Sequence, residues 1–430
     1  MKRFFRVLLL IAASVGVVRS QSILTLDRCL TLAREQSPRI RSAHNARRTA
    51  ELFHDELMTT GLPQVRLNAT SIYAPSSRQF GYDPILSNMG ELAGQVIVQQ
   101  SLYDGGVRSI RSDQNSVDLE RLDQEQRLAG RDLTFLVTQA FVEALRADRE
   151  MTLHYQSVLQ LVEYLTIVKQ LSHGGNAGPS DVLKTELQLS NAQLAYQKAS
   201  ESVSFAKYSL LELIGAEIDT SFVVSGTLDD TTRVAGAVDE TQELPDSTST
   251  LELSIAALEL KRSILETELT RHEAFPTVML MGDAGFLTSV ERLKLPAADR
   301  ESYFGFSLGV SVDLPVLNWG ATDLRIQQRQ IAADNLRLAM VQLQRSATIE
   351  SHKARLQILK ARERLGAIRV NRTSAQDIYA LARSKFVGGG ALSLEVLSAQ
   401  QLLTETKLSE VQTMADIHLL RARIEQLRTR

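Results

Sequence analysis

The sequence predicts a mainly α-helical protein with a membrane β-barrel portion, built from duplicated long-helix coiled-coil hairpins. Three observations carry that expectation. A single offset of 214 positions pairs Gly106 with Gly320, Gly175 with Gly389 and Asp181 with Glu395. The chain therefore reads as a tandem duplication with no net insertion over the 69 residues between the two glycine turns of each half. From Gly320 to Gly389 there is no proline, and every seventh residue from Ile326 (Ala333, Met340, Ala347, Ala354, Ala361, Ile368, Ala375, Ala382) is apolar. That heptad row implies a left-handed supercoil, and its many alanines imply closely approaching helices. Finally, Phe304, Phe306, Leu308, Val310, Val312 and Leu314 alternate with Gly305, Ser307, Gly309, Ser311 and Asp313, the rhythm of a strand with one apolar and one polar face.

In chain order, Lys2, Arg3 and Arg6 precede an apolar run from Val7 to Val18, and Val18-Arg19-Ser20 supplies small or aliphatic residues for a peptidase. Residues 1–20 thus read as a secretory signal peptide, because the run falls short of the roughly 20 residues that span a bilayer. The single cysteine, Cys29, follows Leu26-Asp27-Arg28 without the small residues that precede a lipidated cysteine. It reads as an ordinary helix residue and leaves no internal disulfide. Lys and Arg nearly balance Asp and Glu, for a net charge of −2, and no basic block tracks phosphates. A nucleic-acid binder is not indicated.

The first repeat spans 21–215. Leu24 to Thr60 has helical spacing, with Pro38 as a kink or the start of a second helix, and Gly61-Leu62-Pro63 ends it. Val65, Leu67, Ala69 and Ser71 then alternate with Arg66, Asn68 and Thr70, and a turn-rich stretch with Pro75, Gly81 and Pro84 leads to a second strand from about Gly94 to Tyr103. After Asp104-Gly105-Gly106 comes a long helix with a degraded heptad row: Leu119, Leu133, Ala140, Ala147, Leu161 and Val168, interrupted by Ser112, Gln126 and His154. Each unbroken long helix would reach roughly 100 Å at about 1.5 Å per residue. A tip at Gly174-Gly175 precedes Gly178-Pro179-Ser180, which starts a return helix with Asp181 in its first turn and Gly215 at its end. Leu24–Thr60 and Ser180–Ile214 together match one long helix in residue count, so the two could stack end to end beside it.

Residues 216–250 are acidic and rich in Thr, Ser, Asp and Gly, with Val223-Val224 as a short strand candidate, and read as a connector. The second repeat, 251–430, restarts with a helix over Leu251–Glu273. It continues through a strand marked by Val278, Leu280 and Ala284, a loop around Pro296, the alternating strand and Asn318-Trp319-Gly320. The long helix, the Gly388-Gly389-Gly390 tip and a return helix over Leu394–Leu427 complete it.

Strands of this pattern fit lipid outside and water inside, although a half-buried strand of a soluble sheet has the same alternation. A signal peptide and the lack of an apolar spanning helix favour the barrel. Four strands cannot close one, and open edges are excluded from lipid. Pooling three chains of four gives twelve strands closed by cyclic symmetry. The reading from a different class is a pore-less periplasmic structural coiled coil, which has no use for paired strands once per half.

Catalytic patterns are missing from the sequence. The seven histidines form no His-Glu-x-x-His and no metal-ligand spacing, and the Gly388-Gly389-Gly390 cluster lacks the Lys and Ser or Thr of a phosphate loop. Neither an enzyme, a cofactor nor a metal is expected.

The duplicated order, the turns Leu102-Tyr103-Asp104-Gly105-Gly106 and Val316-Leu317-Asn318-Trp319-Gly320, and the stretch Phe386-Val387-Gly388-Gly389-Gly390-Ala391-Leu392-Ser393-Leu394-Glu395-Val396-Leu397 resemble the TolC-type outer membrane efflux protein family over essentially the whole mature chain. The resemblance implies a homotrimer in outer-membrane lipid, with a twelve-stranded β-barrel continued by a twelve-helix α-barrel through the periplasm. It implies a passive duct of a tripartite export system, whose helix tips (Gly174, Gly175, Gly178, Gly388, Gly389, Gly390) dock a periplasmic adaptor, or membrane fusion protein, linked to an inner-membrane pump. Small-molecule efflux and type I protein secretion would use the same fold. It also implies that Asp181 and Glu395 face the periplasmic aperture, six carboxylates per trimer favouring cations; the bland alternative is a pair of helix N-terminal acids. Gly105, Gly106, Trp319 and Gly320 would form the strand-to-helix turns. The sequence departs from some members at Lys184 and Ser398, where a further acid can stand, and at Ala391, where an arginine can brace a closed mouth.

Overall fold

The computed structural model describes residues 23–74, 90–215, 222–228, 250–289 and 303–428. The expected signal peptide, the loops around Pro75, Gly81, Pro84 and Pro296, and most of the connector lie outside the described residues. The described chain runs β1 (Ile23–Leu24), α1 (Leu26–Gln36), α2 (Pro38–Thr59), β2 (Gln64–Tyr73), β3 (Gly90–Tyr103), α3 (Val107–His173), α4 (Pro179–Ile214), β4 (Val223–Val224), α5 (Leu251–His272), β5 (Thr277–Ser289), β6 (Tyr303–Asp313), α6 (Ala321–Val387) and α7 (Ser393–Arg428).

The duplication is visible in element lengths. The long helices α3 and α6 have 67 residues each, the return helices α4 and α7 have 36 each, and α2 and α5 have 22 each. Pro38 opens a separate helix: Ser37 is extended, as a residue before proline prefers, and this breaks α1 from α2.

The chain divides into two compact units, and both repeats contribute to each: residues 42–127 with 251–345, and residues up to 41 with 128–250 and 346–430. In the first, β2, β3, β5 and β6 form one antiparallel sheet in that order. Its register sets Leu67 opposite Val96, Val96 opposite Ala284, and Ala284 opposite Phe306. Opposed residues of an antiparallel pair share a face, so Val65, Leu67, Val96, Val98, Leu280, Phe286, Phe304, Phe306, Leu308 and Val310 make one continuous apolar face. The other face carries Arg66, Asn68, Gln95, Gln99, Asp283, Ser307 and Ser311. There the Ser307 hydroxyl donates to the Asp283 carboxylate. Strands β2 and β6 each pair on one side only, leaving both edges of the sheet open.

The helices of this unit are tied by ion pairs: Arg47 of α2 to Asp123 of α3 at 2.7 Å, Arg262 of α5 to Asp118 of α3 at 3.1 Å, and Arg329 of α6 to Glu266 of α5 at 2.9 Å. Each has an arginine largely in solvent, which limits it to about 0–1 kcal/mol, so these pairs set registry more than stability.

The second unit has its main core where α1, α3, α4, α6 and α7 meet: Cys29, Ala33, Val137, Phe141, Val142, Leu210, Ile214, Ala361, Leu365, Met414 and Ile417. The short parallel pair β1–β4 joins Ile23 to Val223 beside it, and Gly215, which ends α4 in a left-handed conformation, lies against Gln36 at the end of α1. The heptad row of α6 behaves as its period requires: Ala333, Ala354, Ala361 and Ala375 are buried, and the row's remaining members are half-buried on a helix that is otherwise largely exposed. Among the described residues no helix is long and apolar enough to cross a membrane.

Candidate aperture, helix tips and strand-to-helix turns

The two helix tips have the same backbone. After α3, Gly175 takes φ 76° and the Asn176 N–H donates to the Leu171 carbonyl at 2.8 Å; after α6, Gly389 takes φ 77° and the Gly390 N–H donates to the Lys385 carbonyl at 2.8 Å. A left-handed residue closing a six-to-one hydrogen bond ends a helix sharply, and glycine takes that conformation without a Cβ penalty. Gly174 and Gly388 complete the turns by donating to Gln170 and Ser384 carbonyls, both at 3.2 Å. Gly178 is the N-cap of α4 with Pro179 next, so the missing proline N–H costs nothing there.

The two acids occupy equivalent positions but differ in surroundings. The Gly178 N–H donates to the Asp181 carboxylate at 3.2 Å, so Asp181 reaches back to its own cap and is half-buried. Glu395 is exposed and lines a shallow cavity with Ile378, Lys385, Ser398 and Leu402. Helix-end stabilisation therefore accounts for Asp181 directly, while the Glu395 carboxylate stands toward solvent. Of the departures from family patterns, Ser398 donates back to the Leu394 carbonyl at 2.6 Å and Ala391 packs against the tip core.

Between the tips lies a cluster that sequence reasoning did not find. Leu161, Tyr164 and Val168 of α3 pack with Phe386 of α6 and Val396 and Leu397 of α7. The Tyr164 hydroxyl bonds to Ser393 Oγ at 3.2 Å, and its ring meets Phe386 at 5.4 Å between centroids. Burial, with the Asp181 charge nearby, pushes the Tyr164 hydroxyl up to about 12 against the opposing pull of its Ser393 hydrogen bond. Arg383 pairs with Glu163, and the Gln400 amide donates to Ser157 Oγ at 2.7 Å. Leu161 and Val168 were legible as heptad positions; Tyr164 occupies the companion row three residues on, the one signal that could have pointed to it.

In the other unit, the strand-to-helix turns also match. Asp104 accepts from Gly106 N–H at 3.1 Å and from Arg108 N–H at 2.9 Å, capping α3. Gly105 and Gly106 have φ of 71° and 85°, and the equivalent Trp319 and Gly320 have 56° and 77°. Trp319 is the only non-glycine residue with positive φ among the described residues. Among the described residues no cluster of three or more His, Cys, Asp or Glu is arranged to hold a metal.

Residues 249–428, about two-fifths of the chain, match the family model described as outer membrane efflux protein, a family of channels and not of enzymes. The fold agrees along nearly its whole length. The outer-membrane channel OprN superposes with a TM-score of 0.75 at 15% identity, covering 94% of this chain and 89% of that one. VceC of Vibrio cholerae gives 0.71 at 14% identity, covering 94% and 96%. The open state of MtrE of Neisseria gonorrhoeae gives 0.73 at 16% identity, covering 94% and 88%. No curated protein matches the chain by sequence. The fold is that of the TolC-type outer-membrane efflux channels, with its four-stranded sheet left open in the single chain.

Proposed function

We propose that three copies of this chain form an outer-membrane channel continued by a periplasmic α-barrel, serving as the passive outer-membrane duct of a tripartite efflux system. The observation that carries this is the sheet: four strands with one continuous apolar face and two open edges, β2 and β6. Such edges cannot remain unpaired in lipid, and a third of a barrel wall has no use for a lipid-like face on its own. Pairing β6 of one copy with β2 of the next gives twelve strands. A soluble coiled-coil spacer does not need this sheet.

The helices support the same assembly. On the first turns of α6 an exposed row, Leu324, Ile331 and Leu338, runs at heptad spacing beside the row already buried within the chain, which suits a neighbouring helix. The two repeats, 21–215 and 251–430, would each supply strands and rods, with 216–250 as connector. No phosphate-binding pattern occurs in the sequence, so transport energy comes from an inner-membrane pump, reached through a periplasmic adaptor docked on the tips at Gly174, Gly175, Gly178 and Gly388–Gly390. Glu395, with Asp181 behind it as a cap, would line the periplasmic aperture and favour cations.

The test is conductance. Protein purified from outer membranes and added to a planar bilayer should open discrete, cation-selective channels; insertion without conductance would remove the duct reading.

A further inference from the structure

We infer that Trp319 is a contact residue between copies, seated against the end of α2 of the neighbouring chain at Thr59 and Leu62. The inference rests on the assembled channel proposed above and names a contact within it.

The first strand-to-helix turn is covered within the chain. The His272 Nδ1–H donates to the Gly105 carbonyl at 2.7 Å, and the His272 ring meets the Phe275 ring, tilted by 55°, at 4.6 Å between centroids. A Cβ placed on Gly105 would lie 3.0 Å from the His272 carbonyl oxygen and 3.1 Å from Phe275 Cβ. The end of α5 therefore closes over the turn because position 105 has no side chain. The second turn is bare: Gly320 has no atom within 4 Å of an added Cβ, and Trp319 is 87% exposed.

The duplication says what belongs there. α2 and α5 are the same element of the two repeats, both 22 residues long, and Thr59 and Leu62 are the counterparts of His272 and Phe275. Within the chain, the end of α5 covers the turn before α3. Among the described residues no second copy of α5 covers the turn before α6, and β2, which follows α2, stands at the opposite edge of the sheet from β6, which leads into that turn, so the equivalent surface, the end of α2, reaches it from another copy. A ring of repeats closes by this head-to-tail repetition. Leu62 is 60% exposed and free to take that place.

Side-chain volumes complement across the two contacts. The first pairs glycine with histidine and phenylalanine; the second would pair tryptophan with threonine and leucine. The bulk has moved from the helix end to the turn, which fills a contact that must stand slightly wider because Trp319 carries a Cβ. This also accounts for a bulky residue held at φ 56°, a conformation costing about 1 kcal/mol that needs something to hold it.

Trp319 is the only tryptophan in the chain, so unmodified protein reports on the contact. In detergent-purified assemblies its emission should be blue-shifted and resist both acrylamide and a brominated detergent, and dissociation to monomers should restore quenching. Separately, co-expressed L62C and W319C chains should form a disulfide-linked dimer that neither forms alone. Trp319 quenched by brominated detergent in intact trimers, together with no cross-link, would overturn the contact and leave the duct reading standing. A chain that is monomeric by mass would overturn both.

Discussion

The Tyr164 hydroxyl meets Ser393 Oγ at 3.2 Å, joining the middle of the tip end of α3 to the first residue of α7. One residue of each repeat is thereby fixed to the other at the place where both chain reversals occur. Removing a neutral hydrogen bond whose partner is a hydroxyl costs about 0.5–1.5 kcal/mol. Y164F should lower stability by that amount while keeping the packing against Phe386.

Alkaline pH should undo the same contact. The Tyr164 hydroxyl sits near 12 in the fold, above its ordinary value of 10.0. Its contribution is fully present below about pH 10 and is lost as pH rises through about 12. Thermal unfolding followed by near-ultraviolet circular dichroism should show an alkaline loss of stability in that window. Y164F should show a smaller loss there; an unchanged profile would refute the assignment.

Glu410 is 6% exposed and takes Arg372 at 2.6 Å and Arg369 at 3.4 Å, clamping α6 to α7. The arginines are partly in solvent, so their loss of a partner is cushioned. E410A should cost about 2 kcal/mol, the order expected for charge-assisted hydrogen bonds, read as a drop in the unfolding midpoint.

The two sheet faces make opposite predictions on adjacent residues. V310R places a charge on the apolar face, at a cost of about 2–4 kcal/mol if it lies near the bilayer midplane, and should deplete membrane-inserted protein. S311R, on the other face, should be tolerated. Equal recovery of both variants from outer-membrane fractions would mean that the lipid face is misassigned.

At the tip, E395A should reduce cation preference, read as a smaller reversal potential across a salt gradient, whereas D181N should act mainly on stability because Asp181 caps α4. Reversal potentials unchanged in E395A would place the aperture elsewhere.

Much of this fold was legible because it is periodic. The heptad row from Ile326 to Ala382, the alternation from Phe304 to Leu314 and the paired glycines each repeat a local rule, and together they gave element order, boundaries and the burial of the α6 row. Pro38 left a choice between kink and new helix, settled by the extended Ser37. The contacts that join the repeats were not legible, since Tyr164–Ser393, Arg383–Glu163 and Gln400–Ser157 link residues more than 200 positions apart, and a periodic row within one helix does not say which residue of a distant helix it meets. Asp181 and Glu395 look alike in sequence; what separates them is their partners, since the Gly178 N–H donates to the first carboxylate while Glu395 is exposed. The left-handed Trp319 was hidden because nothing local calls for tryptophan there.

The most direct test of the central claim is electron-microscopic imaging of the detergent-extracted protein with its mass measured in parallel. The account predicts particles of three chains with threefold symmetry and a closed ring of density at the sheet end. Single rods of one chain, or a protein that stays monomeric without detergent, would contradict it.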